Sequence, residues 1–117
     1  MGTVYAIANQ KGGVGKTTSA VNLASCTAAE GEQTLLVDLD PQCNATVALG
    51  GGRDLHPSSY DCLTGDTEVA AAARPAGPDN LWLVPANVDL AGAAVELPRI
   101  DNSEIRLRER LGPVRER

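Results

Sequence analysis

A chain of 117 residues has the size of one domain or part of one. With 43% apolar residues, 3% aromatics and no Phe, global disorder is excluded, and the core must be Val, Leu, Ile and Ala, as in sheets covered by helices. A net charge of -5 excludes whole-surface attraction to DNA or anionic lipid, while leaving room for a local basic patch.

Residues 3–8 (TVYAIA) form an apolar run rich in strand formers that stops at Asn9-Gln10, so a buried strand followed by a loop is predicted. Residues 17–30 turn helical: Ala20, Leu23, Ala24, Thr27 and Ala28 share one face, with Val21 at its edge. Gly31 stands where a helix C-cap glycine belongs. Residues 34–39 (TLLVDL) read as a second buried strand ending at Asp38-Leu39-Asp40-Pro41. Strand, glycine loop, helix and strand make a βαβ unit, whose crossover implies parallel strands. Gly50-Gly51-Gly52 marks a loop. Short helices are predicted near residues 60–63 and 68–73, then a Pro/Gly turn through Pro78 and a third strand over residues 81–84 (LWLV), stopped by Pro85. Residues 90–97 and 103–111 read as helices, the latter with Ser103 as N-cap.

The segment Lys11-Gly12-Gly13-Val14-Gly15-Lys16-Thr17-Thr18 lies between the first strand and the first helix. A polyphosphate needs many donors at close range, and Gly12, Gly13 and Gly15 let backbone N–H groups turn inward past no side chain, with Val14 between them. The following helix N-terminus favours an anion. Lys16 places a point charge on the β- and γ-phosphates, Thr17 offers a hydroxyl to Mg²⁺, and Thr18 can donate to phosphate. This predicts binding of Mg-ATP. The loop departs from the strict G-x-x-x-x-G-K-[ST] pattern: Gln10 holds the first glycine position, and a second lysine, Lys11, follows it. The bland alternative is a glycine turn capping a helix, with both lysines solvated.

Asp38 and Asp40 end the second strand, on the sheet edge where open α/β sheets bind ligands. A carboxylate there can hold Mg²⁺ through water or orient an attacking water, or it can simply cap the turn at Pro41. Cys26, Cys43 and Cys62 have no CxxC or Cys/His spacing, and His56 is the sole histidine, so three free thiols in a reducing compartment are expected. No leader pattern or membrane-length apolar run is present, and Ala6 occupies the Ser/Thr position that N-myristoylation requires; a cytoplasmic protein is expected. Arg99, Arg106, Arg108, Arg110, Arg115 and Arg117 read either as a DNA- or partner-binding patch or, because acids are interleaved, as a solvated face with a Glu104–Arg108 pair. His56 reads as a loop residue and Trp82 as a packing residue of its strand.

The loop from Lys11 to Thr18, together with Asp38-Leu39-Asp40-Pro41-Gln42, resembles the ParA/Soj chromosome- and plasmid-partitioning ATPases, relatives of the MinD cell-division regulators. Asn9-Gln10, Asn44, Leu83-Val84-Pro85-Ala86 and Leu90-Ala91-Gly92-Ala93 agree with it. The resemblance covers nearly the whole chain and implies an α/β, P-loop NTPase-like fold with a mainly parallel sheet flanked by helices. It also implies a nucleotide-switched homodimer that binds DNA without sequence specificity, associates with the nucleoid, and is released by a ParB-type partner that stimulates hydrolysis. Carried over residue by residue, Lys11 reaches the phosphates bound by the other subunit, Lys16 and Thr17 are the phosphate lysine and Mg²⁺ ligand, and Asp40 positions the hydrolytic water. Asp38 is expected at the metal. Cys43 departs from the family's usual glycine.

By the same resemblance, residues 1–117 are the N-terminal part of one P-loop ATPase domain, with the Walker-B strand, adenine-contacting segment and basic DNA-binding surface beyond residue 117. That strand sits between the first two strands in the family, so both are expected to have unpaired edges without it. Two alternatives remain. One is a non-catalytic nucleotide-binding or interaction remnant of the family. The other is an electron-transfer ATPase of the nitrogenase iron-protein type, for which no cluster-ligating cysteines are recognisable.

Overall fold

The computed structural model describes residues 2–7, 16–92 and 106–115, with the backbone alone at Lys16, Arg106 and Arg115. In chain order the elements are α1 (Lys16–Ala29), β1 (Thr34–Val37), α2 (Asn44–Ala48), α3 (Ser59–Thr64), α4 (Val69–Ala72), β2 (Arg74–Pro75), β3 (Leu81–Val84), a 3₁₀ turn (Val88–Gly92) and α5 (Arg106–Arg115).

The sheet is ordered β1-β3-β2. β3 pairs in parallel with β1, Val84 opposite Val37, and antiparallel with the two-residue β2. Helices cover both faces, so alternate strand residues are buried on opposite sides. Beneath α1, Ala24 and Ala28 pack on Ala76, Leu81 and Leu83, with Leu36 and Leu49 at the margin. On the other face, Cys62, Val69, Ala72 and Val84 form a cluster joined by Leu35, Val37, Leu111 and Val114. A third cluster, Cys43, Leu63, Ala86 and Leu90, lies beyond the carboxyl ends of the strands.

Local chemistry explains the boundaries. α1 ends as expected: Gly31, at φ +93°, takes the left-handed conformation, and its N–H donates to the Ala28 carbonyl. α3 opens with a capping box, Ser58 accepting from the Tyr60 N–H while Asp61 accepts from the Ser58 N–H. Leu23, expected on the buried face of α1, is exposed; the sheet beneath α1 is narrow, and Ala24 and Ala28 fill the contact.

Three further expectations need correction. Residues 2–7 carry no regular secondary structure, and Val4, Tyr5 and Ile7 are exposed. The predicted first strand, and with it the βαβ unit, is therefore absent there; residue 8 lies outside the described residues. A strand needs a ladder partner to satisfy its backbone, and among the described residues none pairs with this run or with the outer edge of β1. Parallel pairing is made by β1 with β3 instead. The expected helix over 90–97 is a 3₁₀ turn where it is described, with residues 93–97 outside that range. The last helix runs past Gly112 and Pro113, beyond its expected stop at 111, because Val114 gains contact with the Cys62 cluster. Ser103 and Glu104 lie outside the described residues.

Candidate functional site

The carboxyl ends of β1 and β3 converge on one buried carboxylate. Asp38 continues the ladder past β1, its N–H donating to the Val84 carbonyl at 3.0 Å. Its side chain is buried, 5% exposed. Thr46 of α2 donates twice to Asp38 Oδ2, from its N–H at 2.9 Å and its hydroxyl at 2.7 Å. The Asp40 N–H donates to Oδ1 at 3.1 Å. The Asp38 carbonyl accepts from the Ser59 hydroxyl at 2.6 Å. A buried carboxylate is stabilised by the donors that surround it, and these three act on it.

Asp40 repeats the pattern one turn further out. Its Oδ1 accepts from the Gln42 N–H at 2.9 Å, and its carbonyl accepts from the Cys43 N–H at 2.8 Å. Both aspartates thus shape the turn at Pro41, the bland role weighed for them; Asp40 is half-buried, whereas Asp38 is enclosed. Arg53 Nη1 donates to the Gln42 carbonyl and pins the outer rim of this turn.

Cys43 closes it. Its backbone is left-handed, φ 61° and ψ 27°, and its side chain is fully buried against Leu63, Ala86 and Leu90. A glycine would take this conformation without cost, since a left-handed residue without Cβ has no clash. Burial, reinforced by the Asp38 carboxylate, pushes the Cys43 thiol above its ordinary pKa despite the opposing Arg53 charge. Such a thiol is neutral and unreactive.

The phosphate side of the site is seen in part. Lys11, Gly12, Gly13, Val14 and Gly15 lie outside the described residues. Lys16 is the first residue of α1, Thr17 is half-buried and Thr18 exposed. The first turn of α1 contains no acidic residue that would repel a phosphate. All three cysteines are free thiols, and no group of three His, Cys, Asp or Glu side chains able to hold a metal occurs among the described residues. No helix among them is long and apolar enough to cross a membrane. Of the arginine-rich tail, Arg110 is committed to the fold: it donates to the carbonyls of Cys62 at 3.1 Å and Gly65 at 2.7 Å, capping the end of α3.

Sequence reasoning missed Thr46, Ser59 and Arg53. Ser58-x-x-Asp61 was a readable capping-box signal that places Ser59 in the first turn of α3, but nothing in the sequence marks Thr46 or Arg53 as partners of the Asp38–Cys43 turn.

A family model described as an AAA domain matches residues 2–117. The chain belongs to this family. Within it, the chain is 45% identical over 117 residues to the sporulation initiation inhibitor protein Soj of Bacillus subtilis, covering 99% of this chain and 46% of that protein. It is 46% identical over 115 residues to the chromosome partitioning protein ParA of Myxococcus xanthus, covering 97% and 41%. Among solved structures, a Mycobacterium smegmatis protein described as cobyrinic acid a,c-diamide synthase, with bound ADP and magnesium, superposes with a TM-score of 0.91 at 41% identity, covering 97% of this chain and 46% of that one. The ATP complex of a McdA variant from Cyanothece superposes at 0.81 and 28% identity, covering 93% and 42%. The expected P-loop ATPase fold and the ParA/Soj resemblance are therefore established for this AAA-domain chain. It spans under half the length of these relatives.

Proposed function

We propose that this chain is the nucleotide-binding part of a ParA-type partitioning ATPase and holds the phosphates of ATP with Mg²⁺. The observation that carries this is the convergence of Asp38 and Asp40 at the carboxyl end of β1, on a chain whose α1 is preceded in sequence by a glycine- and lysine-rich segment. In this proposal the N–H groups of Gly12, Gly13, Val14 and Gly15 cradle the phosphates, Lys16 neutralises them and Thr18 donates a further hydrogen bond. Thr17 is the side chain offered to Mg²⁺, whose chemistry there would be to offset charge on the transferring phosphoryl group. Asp38, its oxygens already accepting three protein hydrogen bonds, would act on the metal through water rather than as a direct ligand. Asp40, less enclosed, orients the attacking water. Lys11 acts on the nucleotide of a second copy, so that ATP pairs two subunits; in the full-length protein the pair binds DNA without sequence specificity in the cytoplasm, and a ParB-type protein releases it.

The test is calorimetric titration of Mg-ATP and Mg-ADP into the folded chain and into Lys16→Ala. Loss of binding in the variant is expected; unchanged affinity would remove the loop from the proposal. The exposed apolar side chains at Val4, Tyr5 and Ile7 favour a second reading, in which this chain binds nucleotide but turns it over only when another strand covers that run. Binding without turnover is its signature.

A further inference from the structure

The geometry points to Thr46 as a positioning residue: its hydroxyl orients the Asp38 carboxylate, and Asp38 in turn holds the backbone of Asp40. The consequence for catalysis rests on the role proposed above for Asp40; the positioning itself does not.

Thr46 is fully buried, although α2 has only five residues and the two that follow it, Val47 and Ala48, are exposed. Its hydroxyl is used in both directions. It donates to Asp38 Oδ2 at 2.7 Å and accepts from the Ala86 N–H at 2.9 Å. One oxygen atom therefore joins the end of β1, the segment after β3 and α2. A hydroxyl whose acceptor side is taken by a fixed amide can point its proton in few directions, and here that direction is the carboxylate. The second donor, the Thr46 N–H, meets the same Oδ2 at 2.9 Å. With Oδ2 held twice, rotation about the carboxyl bond is blocked, and Oδ1 is left facing the Asp40 N–H.

Two further contacts keep this arrangement from relaxing as a unit. The Ser59 hydroxyl holds the Asp38 carbonyl, and the Ser59 N–H donates to the Pro85 carbonyl at 2.8 Å. Asp38 is thus fixed at main chain and side chain by two different helices. Leu39, the next residue, is exposed, and the Asp38 Oδ1 contact with the Asp40 N–H spans it. An aspartate that aims water must hold its carboxylate within a fraction of an ångström of the productive place, so a contact that sets its backbone bears directly on rate rather than on affinity.

The experiment uses the 117-residue chain with Thr46→Val, which keeps the shape and removes the hydroxyl, and Thr46→Ser, which restores it. Amide hydrogen exchange is read at Asp40, with Leu83 as the reference. In Thr46→Val the Asp40 amide should exchange about 10-fold faster or more while Leu83 stays protected, and Thr46→Ser should return it to within about 3-fold of wild type. Unchanged exchange at Asp40 in a folded Thr46→Val protein, or a Thr46→Ser protein no better than Thr46→Val, overturns the proposal. Should Thr46→Val not fold, the wild type decides: scalar coupling across the hydrogen bonds from the Asp40 and Thr46 amide nitrogens to the Asp38 carboxyl carbon is expected, and its absence overturns the proposal equally. Nucleotide titration and turnover are run alongside. Wild type that binds no nucleotide refutes the proposed function without touching the exchange result. In wild type that does turn over, Thr46→Val should lower kcat with affinity for Mg-ATP held and Thr46→Ser should restore it; unchanged kcat removes Thr46 from the mechanism.

Discussion

At Cys43 the backbone and the core make opposing demands, and their balance can be measured. An L-residue in the left-handed region costs about 1–2 kcal/mol, and Cys43 sits there at φ 61°. Trimming it to Ala removes a fully buried sulfur from among Leu63, Ala86 and Leu90, a loss of about 1 kcal/mol, and leaves the backbone penalty in place. Trimming to Gly removes one more buried carbon, about 0.8 kcal/mol, and frees the unfolded chain by about 0.5–1 kcal/mol. It also abolishes the left-handed penalty, which is of the same total size. Cys43→Gly is therefore expected to unfold within about 0.5 kcal/mol of Cys43→Ala, whereas Ala45→Gly, at a buried position inside α2, should cost at least about 1 kcal/mol. Urea unfolding followed by far-UV circular dichroism, with equal m-values across the set, gives the comparison. If Cys43→Gly falls more than about 1.5 kcal/mol below Cys43→Ala, the left-handed cost is not there, and the account of why glycine suits this turn is wrong.

Arg110→Ala should cost about 2 kcal/mol by stripping two charge-assisted hydrogen bonds from the end of α3. Arg110→Lys should recover only part of this, and exchange of the α5 amides reports the loss directly. Gly51→Ala would bring a Cβ to 2.8 Å from Thr46 Cγ2 and should cost about 1–3 kcal/mol by crowding. Gly112→Ala, with open space around it inside α5, should be neutral or stabilising by up to about 1 kcal/mol; thermal unfolding separates the two. The Cys62 thiol is raised above its ordinary 9.0, first by burial and then by Asp61, against Arg110. A raised folded value means stability that is complete below the unfolded pKa and lost as pH climbs through the folded one. The advantage of wild type over Cys62→Ala should therefore shrink above about pH 9, and urea midpoints measured across that range test it.

What the sequence discloses tracks how local its cause is. The strand at Leu81–Val84 is legible because Pro85 ends it and four apolar residues fill it, and Gly31 is legible as a cap because only its backbone freedom is at stake. Asp38 and Asp40 are legible as a pair because they stand on one strand end. Residues 3–8 mislead because composition reports what a strand would bury, not whether a neighbour pairs with it. Thr46 is silent for a related reason: its partners, Asp38 and Ala86, lie eight residues before it and forty after it, and only the pairing of β1 with β3 brings them within reach.

That dependence has a direction. The Thr46 hydroxyl can serve both partners only because Val37 stands opposite Val84, which sets Asp38 and Ala86 just past the same end of the sheet. A one-residue slip would turn Asp38 to the other face and draw Oδ2 away from both Thr46 donors, leaving a buried carboxylate without them. The apolar strands tolerate such a slip poorly, and the carboxylate tolerates it less. The residues that fix Asp38 therefore also fix the register of the strands that carry it, and the candidate site is specified by the same contacts that specify the sheet.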